Sequence, residues 1–180
     1  MSILKVARLG HPVLRTPARE LTPEEIRSDP VKQLVRDMRE TMIEYSGVGL
    51  AAPQVHEPVR LALIELAGDN PRYAVSEAEP LWVVFNPKLT VLDEDLEGYW
   101  EGCLSVPGLR GYVERPRKVQ IDYLDAEGQP QQRIAESFLA TVCQHEFDHL
   151  DGVLYVDRVR DPSKLAFLEE YARYHAQAGE

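Results

Sequence analysis

The chain has 180 residues, 44% of them hydrophobic and 28% charged, with a formal net charge of −10 and an isoelectric point near 5.0. This is the size and balance of one globular domain over residues 1–180, long enough to bury a core without staples. The acidic balance excludes broad binding to nucleic-acid phosphates or anionic lipid, and no run of about 18 apolar residues predicts a transmembrane helix.

The opening Met1-Ser2-Ile3-Leu4-Lys5-Val6 carries no apolar signal-peptide core, so a cytoplasmic location is expected. Thr22-Pro23-Glu24-Glu25 has the spacing of a capping box with proline at the first helical position. A strong helix is predicted next, with Asp29 as N-cap, Pro30 in its first turn and Val31, Leu34, Val35, Met38 and Met42 on one face. Gly47 is placed to end it.

The middle of the chain reads as strands: Leu61 to Leu66, then Trp82 to Phe85 before a break at Asn86-Pro87, then the alternating run Lys118 to Tyr123. Ala67 to Pro80 reads as an exposed loop, and Ala126-Glu127-Gly128 as a hairpin turn. A second helix is predicted from Ser137, with Phe138, Leu139, Val142 and Cys143 inward and Gly152 at its end. A third is predicted after Asp161-Pro162, turning Leu165, Leu168 and Tyr171 inward. Helices before and after a block of strands indicate an α+β fold with mixed or antiparallel sheets.

The sharpest chemical signal is His145-Glu146-Phe147-Asp148-His149. Residues four apart share one face of a helix, so both imidazoles can grip one ion, with Glu146 near enough to act on a water there. The apolar turns before them put the pair at a core edge rather than on an open surface. A catalytic tetrahedral site needs a third protein ligand and one open position. Downstream candidates are His175, in a polar tail, and Glu169 and Glu170, in a separate helix; upstream stands Cys103, in the strand-like run Tyr99 to Ser105. Cys103 is read equally well as a ligand or as core filler. Cys143, two residues before His145, is turned about 200° from the histidine face and reads as core.

Three segments, in order, resemble the motifs of the peptide deformylase family: Gly47-Val48-Gly49-Leu50-Ala51-Ala52-Pro53-Gln54, then Glu101-Gly102-Cys103-Leu104-Ser105, then His145-Glu146-Phe147-Asp148-His149 with Gly152. Gly10-His11-Pro12-Val13-Leu14-Arg15 extends the resemblance to nearly the whole chain. It implies a metal-dependent hydrolase that removes the formyl group from the N-terminal formyl-methionine of nascent polypeptides, releasing formate. The fold it implies is sheets packed around a central helix that carries the His-Glu-x-x-His motif and binds the metal.

By the same resemblance, Cys103, His145 and His149 are the metal ligands, and Glu146 is the general base and acid for an attacking water on the ion. The Gln54 amide and the Leu104 N–H hold the developing oxyanion. Val48, Gly49 and Leu50 meet an extended peptide along a strand edge, while Glu101 and Gly102 border the methionine pocket; Val142, one turn before the histidine pair, reads equally as a pocket residue or as core. One divalent ion is implied, Fe2+ first, with Zn2+ or Ni2+ able to substitute. Asp148 is not expected to bind the metal but either to pair with an arginine such as Arg115 or to orient a ligand, and Arg110 either meets substrate or lies solvated; Trp82, Trp100, His11 and His56 read as structural or exposed. The segment after Asp161 is net acidic, unlike the basic C-terminal helix by which some relatives in the family dock on the ribosome.

Two rivals remain. A zincin-type endopeptidase shares the helix motif but takes its third ligand downstream, and a catalytically inert metal-binding module has no need of Glu146 or Gln54.

Overall fold

The computed structural model describes residues 2–66 and 78–176. A 3₁₀ turn at Pro12–Arg15 leads to α1, Pro23–Ile26, and α2, Asp29–Glu44. The capping box at Thr22 is formed from both sides, Thr22 accepting from the Glu25 N–H and Glu25 accepting from the Thr22 N–H. Helix α2 starts one residue earlier than the sequence suggests, with Ser28 as N-cap and Asp29 inside the first turn. Its end also differs: Ser46 takes the left-handed conformation (φ 53°), and Gly47 instead closes the helix by donating to the Met42 carbonyl.

Strands β1, Gly49–Ala51, β2, Leu61–Leu66, β3, Glu79–Cys103, β4, Val106–Leu124, β5, Pro130–Glu136, and β6, Leu165–Phe167, form one sheet. The order runs β1-β2-β3-β4-β5, with β6 on β4, and every strand pairing is antiparallel. The fold is thus α+β around an antiparallel sheet, and β1 is an edge strand.

The expected break at Asn86-Pro87 is a bulge inside a continuous strand. Asn86 adopts φ 49°, the register shifts between Phe85 and Lys88, and the Asn86 amide exchanges two hydrogen bonds with the Leu21 backbone. Those bonds absorb the irregularity that a proline forces on a strand. Of the expected 67–80 loop, residues 67–77 lie outside the described residues, while Glu79 and Pro80 already belong to β3. The predicted turn at Ala126-Glu127-Gly128 is present, with Gly128 at φ 74° and its N–H donating to the Asp125 carbonyl.

Helix α3, Ser137–Leu150, is buried from Ala140 to Leu150 against the sheet. It ends in a Schellman motif, with Gly152 N–H on the His149 carbonyl and Val153 N–H on the Asp148 carbonyl. Only glycine fits there, since its φ is +75° and a Cβ would lie 2.8 Å from the Arg15 backbone. A short helix α4, Tyr155–Arg158, follows. The predicted third helix starts later than expected: a 3₁₀ turn at Pro162–Lys164 leads to β6, and α5 begins only after it, at Leu168–Tyr174. Leu165 and Leu168 are exposed, because the β4 edge captures this segment as a strand. Tyr171 does turn inward, onto Trp100.

Three apolar clusters hold these layers. One joins α3 to β2, β4 and β5, one joins α2 to β2 and β3, and one joins the N-terminal arm to α4 and the β3–β4 hairpin tip.

Candidate active site

Helix α3 lays His145 and His149 on one face, and the tip of the β3–β4 hairpin brings Cys103 to them. Their ligand atoms lie within 4.8 Å of one another, and Cys103 Sγ is 3.2 Å from His149 Nε2. Ligand bonds of ordinary length around one tetrahedral ion put sulfur and nitrogen donors roughly 3.5 Å apart, so this set fits a single metal ion. All three residues are buried or nearly so.

A chain of charged groups runs outward from His145. Its Nδ1 lies 2.7 Å from Glu101 Oε2, and Arg115 donates to both Glu101 oxygens at 2.6 and 3.1 Å. Arg115 also donates to Asp148 at 2.8 Å, and Arg158 clamps Asp148 from outside at 2.6 and 3.1 Å. The expected Asp148–Arg115 pair is therefore present; Arg158 is an addition that nothing in the sequence flagged. Buried Glu101 is held below the ordinary carboxylate range: burial opposes ionisation, but His145 and Arg115 outweigh it. Both oxygens of Glu101 are thus engaged away from any substrate.

Glu146 is 5% exposed, and its Oε2 is one of four buried side-chain polar atoms without a hydrogen-bond partner among the described residues. Burial pushes its carboxyl up to about 7, against the opposing pull of the neighbouring His145. Burial, reinforced by the charge of His145, holds His149 well below the ordinary imidazole range, in the neutral form that binds metal. For His145 burial also pulls downward, but the hydrogen bonds to Cys103 and Glu101 raise it on balance.

Gln54, in the 3₁₀ turn Ala52–Val55 after β1, is 2% exposed. Its Oε1 accepts from the Ala51 N–H at 2.9 Å, which turns its Nε2 toward Cys103 Sγ (3.4 Å) and Ser105 Oγ (3.2 Å). Gly49 has a tight local reason: a Cβ there would sit 2.6 Å from the Glu146 carboxyl carbon.

A cavity reaches this centre, lined by Val48, Gly49, Gln54, Glu101, Gly102, Cys103, Leu104, Val142, His145 and Glu146. Tyr99, Phe138 and Thr141 also line it, residues that sequence reading passed over, and so does Trp100, which reads from the sequence as structural or exposed. Phe138 shows in the sequence only as a helix position facing the sheet; its edge contact with Tyr99 (5.4 Å) needs the tertiary fold. Two expected site residues stand differently. Leu50 is fully buried in the α2 cluster and does not line the cavity, and Val142 serves the core and the cavity together. Arg110 is neither solvated nor at the cavity: it is 4% exposed, its guanidinium over the Tyr171 ring at 5.6 Å and packed where a Gly102 Cβ would be.

None of the downstream ligand candidates belongs to this donor cluster. His175 stacks near Trp100 (4.8 Å), and Glu169 and Glu170 sit in exposed α5. Cys143 is buried among apolar side chains, which push its thiol pKa upward, as expected of a core cysteine. Trp82 packs in the α3 cluster and under Arg133, and His11 caps the first 3₁₀ turn by accepting from the Val13 N–H.

A cysteine sulfur and two imidazoles that could hold one metal ion, with a buried carboxyl oxygen free beside them, fit the class of metal-dependent hydrolases. Residues 3–165 match the family described as polypeptide deformylase. A peptide deformylase of Leptospira biflexa serovar Patoc is 42% identical over 170 residues, covering 94% of this chain and 95% of the relative. Among solved structures, a Met-Ala-Ser-bound class I type b peptide deformylase from Acinetobacter baumannii superposes with a TM-score of 0.84 at 38% identity, covering 88% of this chain and all of that one. A Synechococcus elongatus peptide deformylase in complex with actinonin gives 0.80 at 41% identity, over 91% of this chain and 82% of that one. The chain belongs to the polypeptide deformylase family, and the zincin alternative is not favoured.

Proposed function

We propose that residues 1–180 form one catalytic unit that hydrolyses the N-formyl amide of formyl-methionine at the start of a nascent polypeptide and releases formate. The observation that carries this reading is the free, buried Oε2 of Glu146 beside the Cys103, His145 and His149 donors.

Those three residues would hold a divalent ion, with α3 as the metal-binding helix inside the sheet. When bound, such an ion lowers the pKa of water toward neutrality and polarises a carbonyl. Mixed sulfur and nitrogen donors suit iron, zinc or nickel, and our reading takes Fe2+ as the resident ion with Zn2+ or Ni2+ as substitutes. Glu146 takes the proton of the attacking water and passes it to the departing amine, its buried Oε2 having no competing hydrogen bond among the described residues. The Gln54 Nε2 and the Leu104 N–H donate to the formyl oxygen as it gains negative charge. One such donor contributes roughly 3–4 kcal/mol to the transition state.

The peptide lies extended along edge strand β1, beside Val48, Gly49 and Leu50, by adding main-chain hydrogen bonds to its free side. Its methionine side chain enters the cavity among Tyr99, Phe138 and Val142. Glu101 acts through His145, and Gly102 lines the cavity while leaving room behind it for the Arg110 guanidinium. We place the enzyme in the cytoplasm, without ribosome docking through α5, where Glu169 and Glu170 outnumber Arg173.

The test is anaerobic loading with Fe2+ followed by incubation with formyl-Met-Ala-Ser. Stoichiometric formate is expected; cleavage of an internal peptide bond without formate would sink the reading.

A further inference from the structure

A second groove, of about 850 Å³, shares Cys103 and Leu104 with the methionine cavity and continues along the N-terminal arm. Lys5, Arg8, His11, Tyr45 and His56 line it, and no Asp or Glu does. In a chain with 30 acidic and 20 basic side chains this wall departs sharply from the surface as a whole. Arg15 and Arg19, further along the same arm, are tied to Asp157 and Glu25. Lys5 and Arg8 enter no ion pair among the described residues.

The arm is anchored to the active site itself. Ala7 N–H donates to the Gln54 carbonyl at 2.7 Å, and Leu9 N–H to the Ser105 carbonyl at 2.8 Å. Tyr45 lies just before Gly47, Val48 and Gly49, which border the methionine cavity. A peptide laid along this edge and past Gly47 therefore arrives at Tyr45, after about three residues at roughly 3.3 Å each.

We infer that this groove receives the nascent chain downstream of the methionine and selects acidic side chains at about its third to fifth residues. The inference rests on the deformylation reading above. Nucleic acid is the less fitting occupant, because the net charge of −10 repels a phosphate backbone everywhere else.

The experiment compares kcat/KM for formyl-Met-Ala peptides that continue with two Asp, two Ser or two Lys. For the protein as it stands, the Asp peptide should exceed the Lys peptide by about three- to tenfold, the scale of two exposed charge contacts. The preference should shrink in about 0.5 M salt, where screening is complete within a few ångströms. In the double variant Lys5→Glu/Arg8→Glu the order should reverse. A purely structural role for the arm would lower all three peptides alike and leave their ratios unchanged, which would overturn the proposal. So would equal rates for the three peptides before mutation, or uniform inhibition by single-stranded RNA without any charge preference. No formate from any peptide would instead remove the deformylation reading, and the groove's role with it.

Discussion

Nδ1 of His145 lies 2.7 Å from Oε2 of Glu101, joining α3 to the strand that carries Cys103. A hydrogen bond at Nδ1 leaves Nε2 as the nitrogen free to bind metal and fixes the plane of the ring. Glu101→Gln weakens this orientation without changing side-chain volume. Metal affinity should fall about 10- to 100-fold, measured by competition with a calibrated chelator. Undiminished affinity would show that the ring is oriented by something else.

Arg115 is the hinge of the same network, facing Glu101 and Asp148 with side-chain exposures of 5% and 11%. Removing it leaves Glu101 with His145 alone and Asp148 with Arg158 alone, and breaking a buried pair costs about 3–5 kcal/mol. Arg115→Met should lower Tm by roughly 6–20 °C for a domain of this size. A thermal scan at fixed metal loading measures it, and a drop within about 2 °C would mean that solvent or Arg158 compensates.

Gly49→Ala tests a contact of a different kind. Its new methyl would meet the Glu146 carboxyl, and the displaced carboxylate should cost on the order of 100-fold in kcat. Metal content should stay at one ion per chain, since no ligand is touched. Normal turnover in this variant would mean that Glu146 acts from another rotamer.

Gln54→Ala removes one donor to the oxyanion and should lower kcat about 100- to 1,000-fold, with the metal retained. Because Gln54 Oε1 also accepts from the Ala51 N–H, a modest loss of stability should accompany it. Full activity would exclude the amide from catalysis.

Cys143, fully buried and held as a thiol by its apolar surroundings, should resist alkylation in the folded protein and react only in denaturant. Peptide mapping after iodoacetamide treatment reads this directly. Native labelling of Cys143 would contradict its place in the core.

The sequence was informative wherever neighbours along the chain carry the signal. Thr22 and Glu25 are three apart and cap each other; His145 and His149 are four apart and share a helix face; Gly152 stops that helix through its own backbone. It misled at Asn86-Pro87 and after Pro162, where propensity favours a break or a helix. In both places the backbone takes its hydrogen bonds from distant partners, Leu21 in one case and the β4 edge in the other.

By itself, then, the amino-acid order determined the donor types and the local frames that carry them, because helix pitch and turn geometry act over a few residues. Tertiary structure decided that Cys103 rather than a downstream residue lies with His145 and His149, that Glu101 bonds His145, and that Lys5 and Arg8 border a groove beside Leu104. Each of these joins segments remote in the chain, and only packing and strand register bring such segments within a few ångströms.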